Sequence, residues 1–430
     1  MSNQLLTLVV AFVALGLMRV PIGIAMLAAG VAYLLVKRAD PGLAAEQVMN
    51  AMLQSDVLLA IPMFILCAQL IGVGSIGDRL MTLAQSLVGR VPGGLGHVNV
   101  LVNVVFASMS GSAVADAAGP GAVLVRLMRQ SGYPAGFAAA LTAAAATLAP
   151  IIPPSIPFIL YAVIANVSVG ALFAAGILPG ILIAVLLMAS VVYQAKRRDF
   201  PRGEGISLAA LPGVLGRSLL PLGLPVLVLG GIRVGAFTPT EGAAVAALYA
   251  LLLVGAIYRD VGSRDLYESF RTALTQSASV MTIIMGAFLM NYAIAAEQLP
   301  NAIAALFLSL DLSATGFLVG VMVLFLILGC FIDTTVMLLV LVPVLLPTAR
   351  ALGIDLVHFG LVVTVNMMVG MLTPPYGVLH FVMAGVTGIP VRDIIREIWF
   401  FCWVLLAALL ALVFIPEITL WLPRHLGLMK

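Results

Sequence analysis

Charged side chains are scarce in this chain of 430 residues. Asp, Glu, Lys and Arg together make up 9% of the residues, whereas hydrophobic residues make up 63%. A soluble globular domain carries roughly 25% charged and 45–50% apolar residues. The imbalance excludes a cytosolic enzyme, a nucleic-acid-binding protein and a disordered chain. It predicts an all-α polytopic membrane protein, because the apolar stretches have the lengths of membrane helices.

Lysine and cysteine are also rare, and each scarcity excludes a kind of chemistry. None of the three lysines follows the glycine of a GxxxxGK[ST] phosphate loop, so an ATP motor of that kind is excluded. Cys67, Cys330 and Cys402 are scattered without a CxxC pair, which excludes a disulfide framework and a zinc site. The chain also lacks GxSxG and HExxH, so we expect no enzyme activity, no cofactor and no transition metal.

Six apolar stretches have the length of a single span: 57–74, 172–193, 211–229, 238–258, 277–295 and 399–416. Four others are too long or too interrupted for one simple helix: 98–128, 137–165, 315–348 and 358–386. The N-terminal apolar stretch predicts a retained membrane segment. Cations cluster at 196–202 and 259–271, which the positive-inside rule places in the cytoplasm. The segment around Glu297 then lies outside, as does the C-terminus. Lys37 and Arg38 do not fit this assignment.

An internal repeat is visible at a spacing of 221 residues. Gly132 pairs with Gly353, and the Pro-Pro sequence that begins at Pro153 pairs with the one that begins at Pro374. The predicted topology places the two glycine loops on opposite sides of the membrane, so the two copies are inverted. Inverted repeats with broken helices are typical of secondary transporters, whose site lies at the bilayer midplane between the copies.

Both Pro-Pro sequences predict a helix that breaks inside the membrane. Four prolines fall within residues 150–157, and each lacks the N–H that a helix requires. The carbonyl groups of Ala149 and Ile151 then lose their helical partners and become ligands suited to a monovalent cation. In the second copy Gly370 and Gly377 bracket the break, and Thr373 adds a hydroxyl. The alternative is a kink whose polar groups are satisfied by neighbouring helices.

A re-entrant hairpin is predicted upstream of each break. Ser110-Gly111-Ser112 is a turn sequence inside a long apolar run, and residues 329–335 form the corresponding tip in the second copy. Asp333 lies in the stretch 272–349, which contains no Lys or Arg. A lone charge at the midplane costs roughly 2.5–3.5 kcal/mol, so we expect Asp333 near a cation or on the substrate path. A hydrogen-bonded cap is the alternative for Asp333, and helix capping and function are equally open for Asp116.

Six further polar side chains lie inside apolar stretches, and we expect them to form interhelical hydrogen bonds rather than bind ligands. They are His97, Asn99, Asn103, Asn291, Asn366 and His380.

At these sequences the chain resembles the large membrane subunit of TRAP transporters, the tripartite ATP-independent periplasmic type. The stretches that carry the resemblance are SGSAVADAAGPGAVLV, TLAPIIPPSIPFILY, NVSVGALFAAGILPG, GCFIDTTV, GIDLVHFG and NMMVGMLTPPYG. They fall between residues 108 and 377 in the order expected, and the flanking segments agree in spacing and hydropathy. The chain departs from the usual family pattern at Ala113, where a second serine is common, and at Asp116, where a small or neutral residue is common.

The resemblance implies an elevator-type, sodium-coupled importer of a small organic acid in the bacterial inner membrane. A periplasmic binding protein would deliver the acid, and a separate small membrane subunit would complete the scaffold. Neither ATP nor nucleic acid would be a partner, and the lipid bilayer would surround the chain. The family pattern assigns sodium to Ser110, Ser112, Ala149, Ile151, Gly329, Asp333, Met371 and Thr373. It assigns the substrate to Ser112, Asp333, Pro153, Pro154 and Pro374.

The expected organisation alternates between scaffold and transport segments. Residues 1–90 form N-terminal scaffold helices, 91–195 the first transport repeat, 196–312 central scaffold helices, 313–398 the second transport repeat, and 399–430 a C-terminal helix. Two other functions stay open: a stand-alone carboxylate transporter that needs no binding protein, and a non-transporting membrane scaffold. The substrate, the number of coupled sodium ions, coupling to protons and the oligomeric state are also open.

Overall fold

The computed structural model describes residues 2–53, 55–201, 211–309 and 312–429. Arg202 and Asp311, which contribute to the predicted charge distribution, lie outside these ranges. The first half of the chain forms α1 (Asn3–Leu17), α2 (Ile22–Val36), α3 (Gly42–Leu53), a 3-10 turn (Asp56–Leu59), α4 (Ala60–Gly72), α5 (Ile76–Val88), α6 (Gly94–Ser110), α7 (Ala113–Ala118), α8 (Pro120–Gln130), α9 (Ala135–Ala146), α10 (Ile156–Ala165) and α11 (Val169–Arg198).

The second half contains the other hairpin and the other broken helix. It forms α12 (Leu211–Arg233), α13 (Pro239–Leu252) with a π-helical end (Leu253–Tyr258), α14 (Ser263–Ala296), α15 (Leu299–Ser309), α16 (Ala314–Gly329), α17 (Thr334–Ala351), α18 (Leu356–Leu372), α19 (Val378–Thr387), α20 (Val391–Phe414) and α21 (Glu417–His425).

Six of these helices are long and apolar enough to cross a membrane. The bent pair of α4 and α5 makes a seventh span if its two helices are counted as one. The bend in that pair is 72°. Several shorter apolar helices are the halves of the predicted broken helices and the arms of the predicted hairpins. The all-α membrane architecture predicted from the sequence is therefore confirmed. The three cysteines are buried as free thiols.

The two repeats share their local backbone as well as their spacing. Gly132 and Gly353, which the sequence pairs, both adopt the left-handed conformation, with φ of 89° and 68°. In each copy this turn separates the returning arm of a hairpin from the first half of a broken helix. A side chain would strain this backbone, which is why glycine suits both positions.

Contacts between the repeats show that they are inverted. Arg350 Nη2 at the end of α17 donates to the carbonyl of Ala165, 3.1 Å away at the end of α10. Tyr161 Oη in α10 donates to the carbonyl of Leu356 at the start of α18, 2.6 Å away. The end of the first broken helix therefore lies beside the start of the second, as expected for copies of opposite orientation.

The helices that follow the breaks are also antiparallel. Arg198, the last residue of α11, forms a 2.9 Å ion pair with Glu397 near the start of α20. The proposed domain boundaries after 195 and 398 fall inside α11 and α20. Both helices begin four residues after their broken helices end, so α20 occupies in the second repeat the position that α11 occupies in the first.

Lys37 lies beside Glu297, on the side of the protein that the positive-inside rule assigns to the outside. Its position there explains why Lys37 does not fit the predicted topology. Lys37 Nζ donates to Tyr33 Oη at 2.8 Å and lies 3.7 Å from Glu297 Oε1. The same carboxylate accepts hydrogen bonds from Tyr33, at 2.9 Å, and from Ser2, at 2.5 Å. The cation is thus matched by a carboxylate from a distant part of the chain.

This cluster predicts a pH-dependent stability. Hydrogen bonds from Ser2 and Tyr33 hold the pKa of Glu297 below its usual value of 4.5. A lowered pKa stabilises the fold above the unfolded-state pKa, and this contribution is lost as pH falls through the lower, folded-state pKa. Glu297→Gln should therefore lower the melting temperature at neutral pH, and the loss should be much smaller at an acidic pH below the lowered pKa of Glu297, because the native carboxyl is then protonated. The matched control is Glu46→Gln at an exposed position; an equal loss at both pH values for Glu297→Gln would contradict the prediction.

Candidate functional site

The tip of the first hairpin lies against the break of its own repeat. Gly111 ends α6 with φ of 62°, and a Cβ atom there would lie 2.8 Å from the carbonyl oxygen of Pro154. Ser112 then caps α7, with its Oγ 3.4 Å from the N–H of Ala115. Ser110, the last residue of α6, is buried. The sequence Ser-Gly-Ser thus makes a tight reversal that only glycine permits at its centre.

The first broken helix leaves carbonyl groups free at the predicted position. Ser155 Oγ donates to the carbonyl of Pro150 at 2.6 Å and accepts from the N–H of Phe158 at 3.3 Å, which starts α10. None of the hydrogen bonds between described residues is accepted by the carbonyl oxygen of Ala149 or Ile151, and the Ile151 oxygen packs against Gly176 of α11. The Pro153–Pro154 peptide bond is cis, and both prolines are buried.

The second hairpin approaches its broken helix through two glycines. A Cβ atom at Gly329 would lie 3.0 Å from the Cα of Gly370, and one at Gly370 would lie 2.8 Å from the Cα of Gly329. Asp333 caps α17, and its Oδ1 accepts from the N–H of Thr335 at 2.8 Å. The capping role foreseen as the alternative for Asp333 is therefore present, and the same residue lines the cavity described below.

At the second break the Thr373 hydroxyl forms a hydrogen bond with a carbonyl group in the last turn of α18. Its Oγ1 donates to the carbonyl of Val369 at 2.7 Å, and its N–H donates to Gly370 at 3.0 Å. The Met371 carbonyl faces Gly377, where a Cβ atom would lie 3.0 Å away. The Pro374–Pro375 bond is cis, like its counterpart in the first repeat.

Both tips and both broken helices meet at one cavity of about 170 Å³. Ser112 and Asp333 lie on its wall together with Pro150, Pro157 and Met371. Scaffold helix α14 contributes Val280. Among the predicted ligands, Ser112, Asp333 and Met371 are thus brought together. Pro153, Pro154, Thr373 and Pro374 are not among the described residues that line this cavity.

A second cavity of about 690 Å³ adjoins the first and lies between scaffold and hairpin. The two share Ser112, Val114, Ile156 and Val280 as lining residues. The scaffold wall of the larger cavity is polar, and Gln69 of α4 donates to Gln276 of α14 at 3.1 Å. The described residues that line the two cavities include the carboxylates Asp116 and Asp333 and no Lys, Arg or His.

Asp116 is buried on the wall of the larger cavity, with 1% of its surface exposed. The cap of α7 is Ser112 rather than Asp116, which lies inside the helix. Its carboxyl has the Ser110 side chain as a hydrogen-bonding neighbour. The second oxygen, Oδ2, has no hydrogen-bond partner among the described residues. A buried polar atom without a partner is uncommon and requires an explanation.

The isolated asparagines mainly join helices, as predicted. Asn99 donates to Thr142 at 2.6 Å, Asn291 to the carbonyl of Leu339 at 2.9 Å, and Asn366 to the carbonyl of Met322 at 3.0 Å. Asn103 bonds within its own helix to Asn99. His380 is different, because neither ring nitrogen has a partner among the described residues, and His97 has one such nitrogen.

The sequence interpretation missed the scaffold wall of the site. Thr275, Gln276 and Ser279 are exposed on one side of α14 and line the larger cavity. Their spacing of i, i+1 and i+4 within an apolar span is a polar stripe that the sequence already displays. Ser155 was also missed, although a serine directly before a helical segment is a common cap.

Two inverted hairpins and two broken helices around one cavity define an inverted-repeat membrane transporter. Residues 9–418 match the family model described as the tripartite ATP-independent periplasmic transporter, DctM component. The chain therefore belongs to this family of large permease subunits, and the resemblance seen in the sequence is confirmed.

Curated relatives agree with this assignment. The chain is 37% identical to the sialic acid TRAP transporter large permease protein SiaM of Vibrio cholerae, covering 94% of this chain and 95% of the relative. It is 37% identical to the 2,3-diketo-L-gulonate permease protein YiaN of Escherichia coli, covering 95% of each. A third relative, the sialic acid permease protein SiaT of Haemophilus influenzae, is 35% identical, and the match covers 95% of this chain but 66% of SiaT. All are named as transporter permeases, in agreement with the prediction that the chain is not an enzyme.

The fold is also similar to that of a solved transporter. The crystal structure of the Alcanivorax borkumensis YdaH transporter, described as having an unusual topology, superposes with a TM-score of 0.63. The similarity covers 90% of this chain and 89% of that one at 15% sequence identity, which establishes likeness of fold.

Proposed function

We propose that this chain is the translocating subunit of a sodium-coupled importer of a small organic acid. The observation that carries the proposal is the single cavity at which Ser112 and Asp333, one from each inverted hairpin, meet the two broken helices. A site shared by both repeats is accessible from alternate sides when one group of helices moves against the other. The relatives named for sialic acid and diketogulonate support an organic acid as substrate.

Sodium is the coupling ion that the breaks suit best. Helix breaks at membrane depth expose carbonyl oxygens, which coordinate Na⁺ in transporters with discontinuous helices. Ala149 and Ile151 supply two such carbonyls in the first repeat, within the break at which Pro154 packs against the Gly111 tip. Met371 and Asp333, which share a cavity wall, supply oxygens in the second.

An elevator movement and two protein partners complete the proposal. α4 and α14 act as scaffold, and the hairpins and broken helices move across the polar face of α14. The word "tripartite" in the family description and the name "large permease protein" of SiaM support a small membrane subunit as a partner. The word "periplasmic" in the family description supports a periplasmic binding protein and an inner-membrane location.

Thermal unfolding in different salts tests the sodium sites. The purified protein is melted in sodium, potassium and choline chloride at equal ionic strength. A ligand that binds only the folded state stabilises it by about 2.7 kcal/mol at 100 times its Kd. We expect a sodium-specific rise in melting temperature that is lost in Ser112→Ala and Asp333→Asn. The matched control is Ser108→Ala, whose hydroxyl bonds to Val105 within the same helix.

Identical melting curves in the three salts would count against sodium coupling. Uptake by proteoliposomes then distinguishes the alternatives. Uptake that requires the added binding protein fits the proposal, whereas uptake by the membrane subunits alone fits a stand-alone carboxylate transporter. Uptake that survives Asp333→Asn unchanged would favour a scaffold role for this chain.

A further inference from the structure

The larger cavity has room for a substrate part that the tip cavity does not hold. Its volume of about 690 Å³ compares with about 170 Å³ at the tips, and the two share the wall formed by Ser112 and Val280. Small-molecule sites have volumes of about 300–1,000 Å³. A ligand bound at the tips would have room to extend between α14 and the first hairpin.

The chemistry of that wall favours hydroxyl groups. Gln69, Thr275, Gln276 and Ser279 offer neutral donors and acceptors. The bond between Gln69 Nε2 and Gln276 Oε1 leaves the Gln276 amide N–H groups and the Gln69 carbonyl for a ligand. Among the lining residues that the structure describes, none is cationic. A second carboxylate on the substrate would be desolvated here without a counter-charge, which is strongly unfavourable.

Asp116 provides the independent sign of a ligand. It is 1% exposed, it lines this cavity, and its Oδ2 has no partner in the described part of the chain. A substrate hydroxyl in the cavity would satisfy that oxygen.

We propose that the substrate is a polyhydroxylated monocarboxylate and that Asp116 is a specificity-determining residue that binds one of its hydroxyl groups. The single carboxylate lies at the hairpin tips, where the sodium proposed at Asp333 and the N-terminus of α17 provide positive charge, and the hydroxylated part lies along α14. This assignment rests on the proposed transport function and adds the chemical class of the acid. It distinguishes this chain from a permease for dicarboxylates.

The test compares six-carbon acids that differ in one feature. Gluconate has one carboxylate and five hydroxyls, glucarate has a second carboxylate, and hexanoate has no hydroxyls. Dissociation constants are measured from melting temperatures of the purified protein in sodium chloride. We expect gluconate to bind at least about tenfold more tightly than glucarate or hexanoate, because an unpaired carboxylate or an unmet polar wall weakens binding by that much or more.

Variants of Asp116 assign the selectivity. Asp116→Ala should weaken gluconate binding about tenfold and reduce the preference for gluconate over hexanoate, whereas Asp116→Asn, which keeps a polar oxygen, should retain most of the gluconate affinity. Asp393→Asn makes the same chemical change at an exposed position in the first turn of α20 and should change neither value. If Asp116 served only hairpin packing, Asp116→Ala would lower the melting temperature without ligand and leave the ratio of dissociation constants unchanged, which would overturn the proposal.

The other possible results of these binding measurements also test the substrate assignment. Glucarate binding as tightly as gluconate, or no shift with any of the six-carbon acids, would overturn the assignment. A sodium-specific rise in melting temperature together with either result would leave the proposed transport function standing. Loss of the sodium effect itself would instead count against that function.

Discussion

Gly370→Ala is expected to destabilise the second repeat by about 3 kcal/mol and to remove the sodium effect on melting. The added Cβ would lie 2.8 Å from the Cα and 3.1 Å from the carbonyl carbon of Gly329. Both are backbone atoms, so relief requires α16 and α18 to separate. That movement would displace the tip that begins at Gly329 from the break that follows Leu372. Thermal unfolding in sodium and potassium chloride measures both effects.

The chain offers matched controls for this substitution. Gly320 in α16 and Gly385 in α19 have no heavy atom within 4 Å of an added Cβ. Alanine at either position should be neutral or slightly stabilising, since alanine is the better helix former. If Gly370→Ala had the same melting temperature as these control variants, the close contact between Gly329 of α16 and Gly370 of α18 would be contradicted.

Ser155→Ala is expected to cost about 2–3 kcal/mol and to disorder the first break. The substitution removes the donor to the Pro150 carbonyl, at 2.6 Å, and the cap of the Phe158 N–H, at 3.3 Å. Ser155 is fully buried, so water cannot replace the lost partners. Pro150 lines the tip cavity, and we therefore expect sodium-dependent stabilisation to weaken as well.

Ser168→Ala is the control for Ser155→Ala, because Ser168 caps a helix at an exposed position, outside the break. Ser168 caps α11 through the N–H of Ala171 at 3.2 Å, but it is exposed. Its loss should cost about 1 kcal/mol or less, with the sodium effect intact. Equal losses for the two serines would mean that Ser155 acts as an ordinary cap and not as a support of the site.

The sequence alone predicted the class of protein and the positions of its irregular backbone. The composition indicates a membrane environment. With 63% hydrophobic and 9% charged residues, the chain has too few charged side chains to keep it soluble in water. Proline lacks an N–H, so the breaks at Pro153 and Pro374 follow from local covalent structure. Glycine tolerates positive φ, so the paired turns at Gly132 and Gly353 were visible for the same reason.

Helix boundaries were less accessible to the sequence. The spans predicted at 172–193 and 399–416 are shorter than α11 and α20, because polar residues continue these helices beyond their apolar parts. Arg198 and Glu397 form an ion pair at 2.9 Å in these polar ends. The pair stabilises helical segments that hydropathy alone does not predict.

The tertiary structure decided which groups share a site. Ser112 and Asp333 are 221 residues apart, and only the packing of inverted repeats places them on one cavity wall. The same holds for the pair of Gln69 with Gln276 and for Lys37 with Glu297. Proline and glycine act on their own backbone, so sequence reveals them; a hydrogen bond or an ion pair between distant residues depends on where every intervening helix packs.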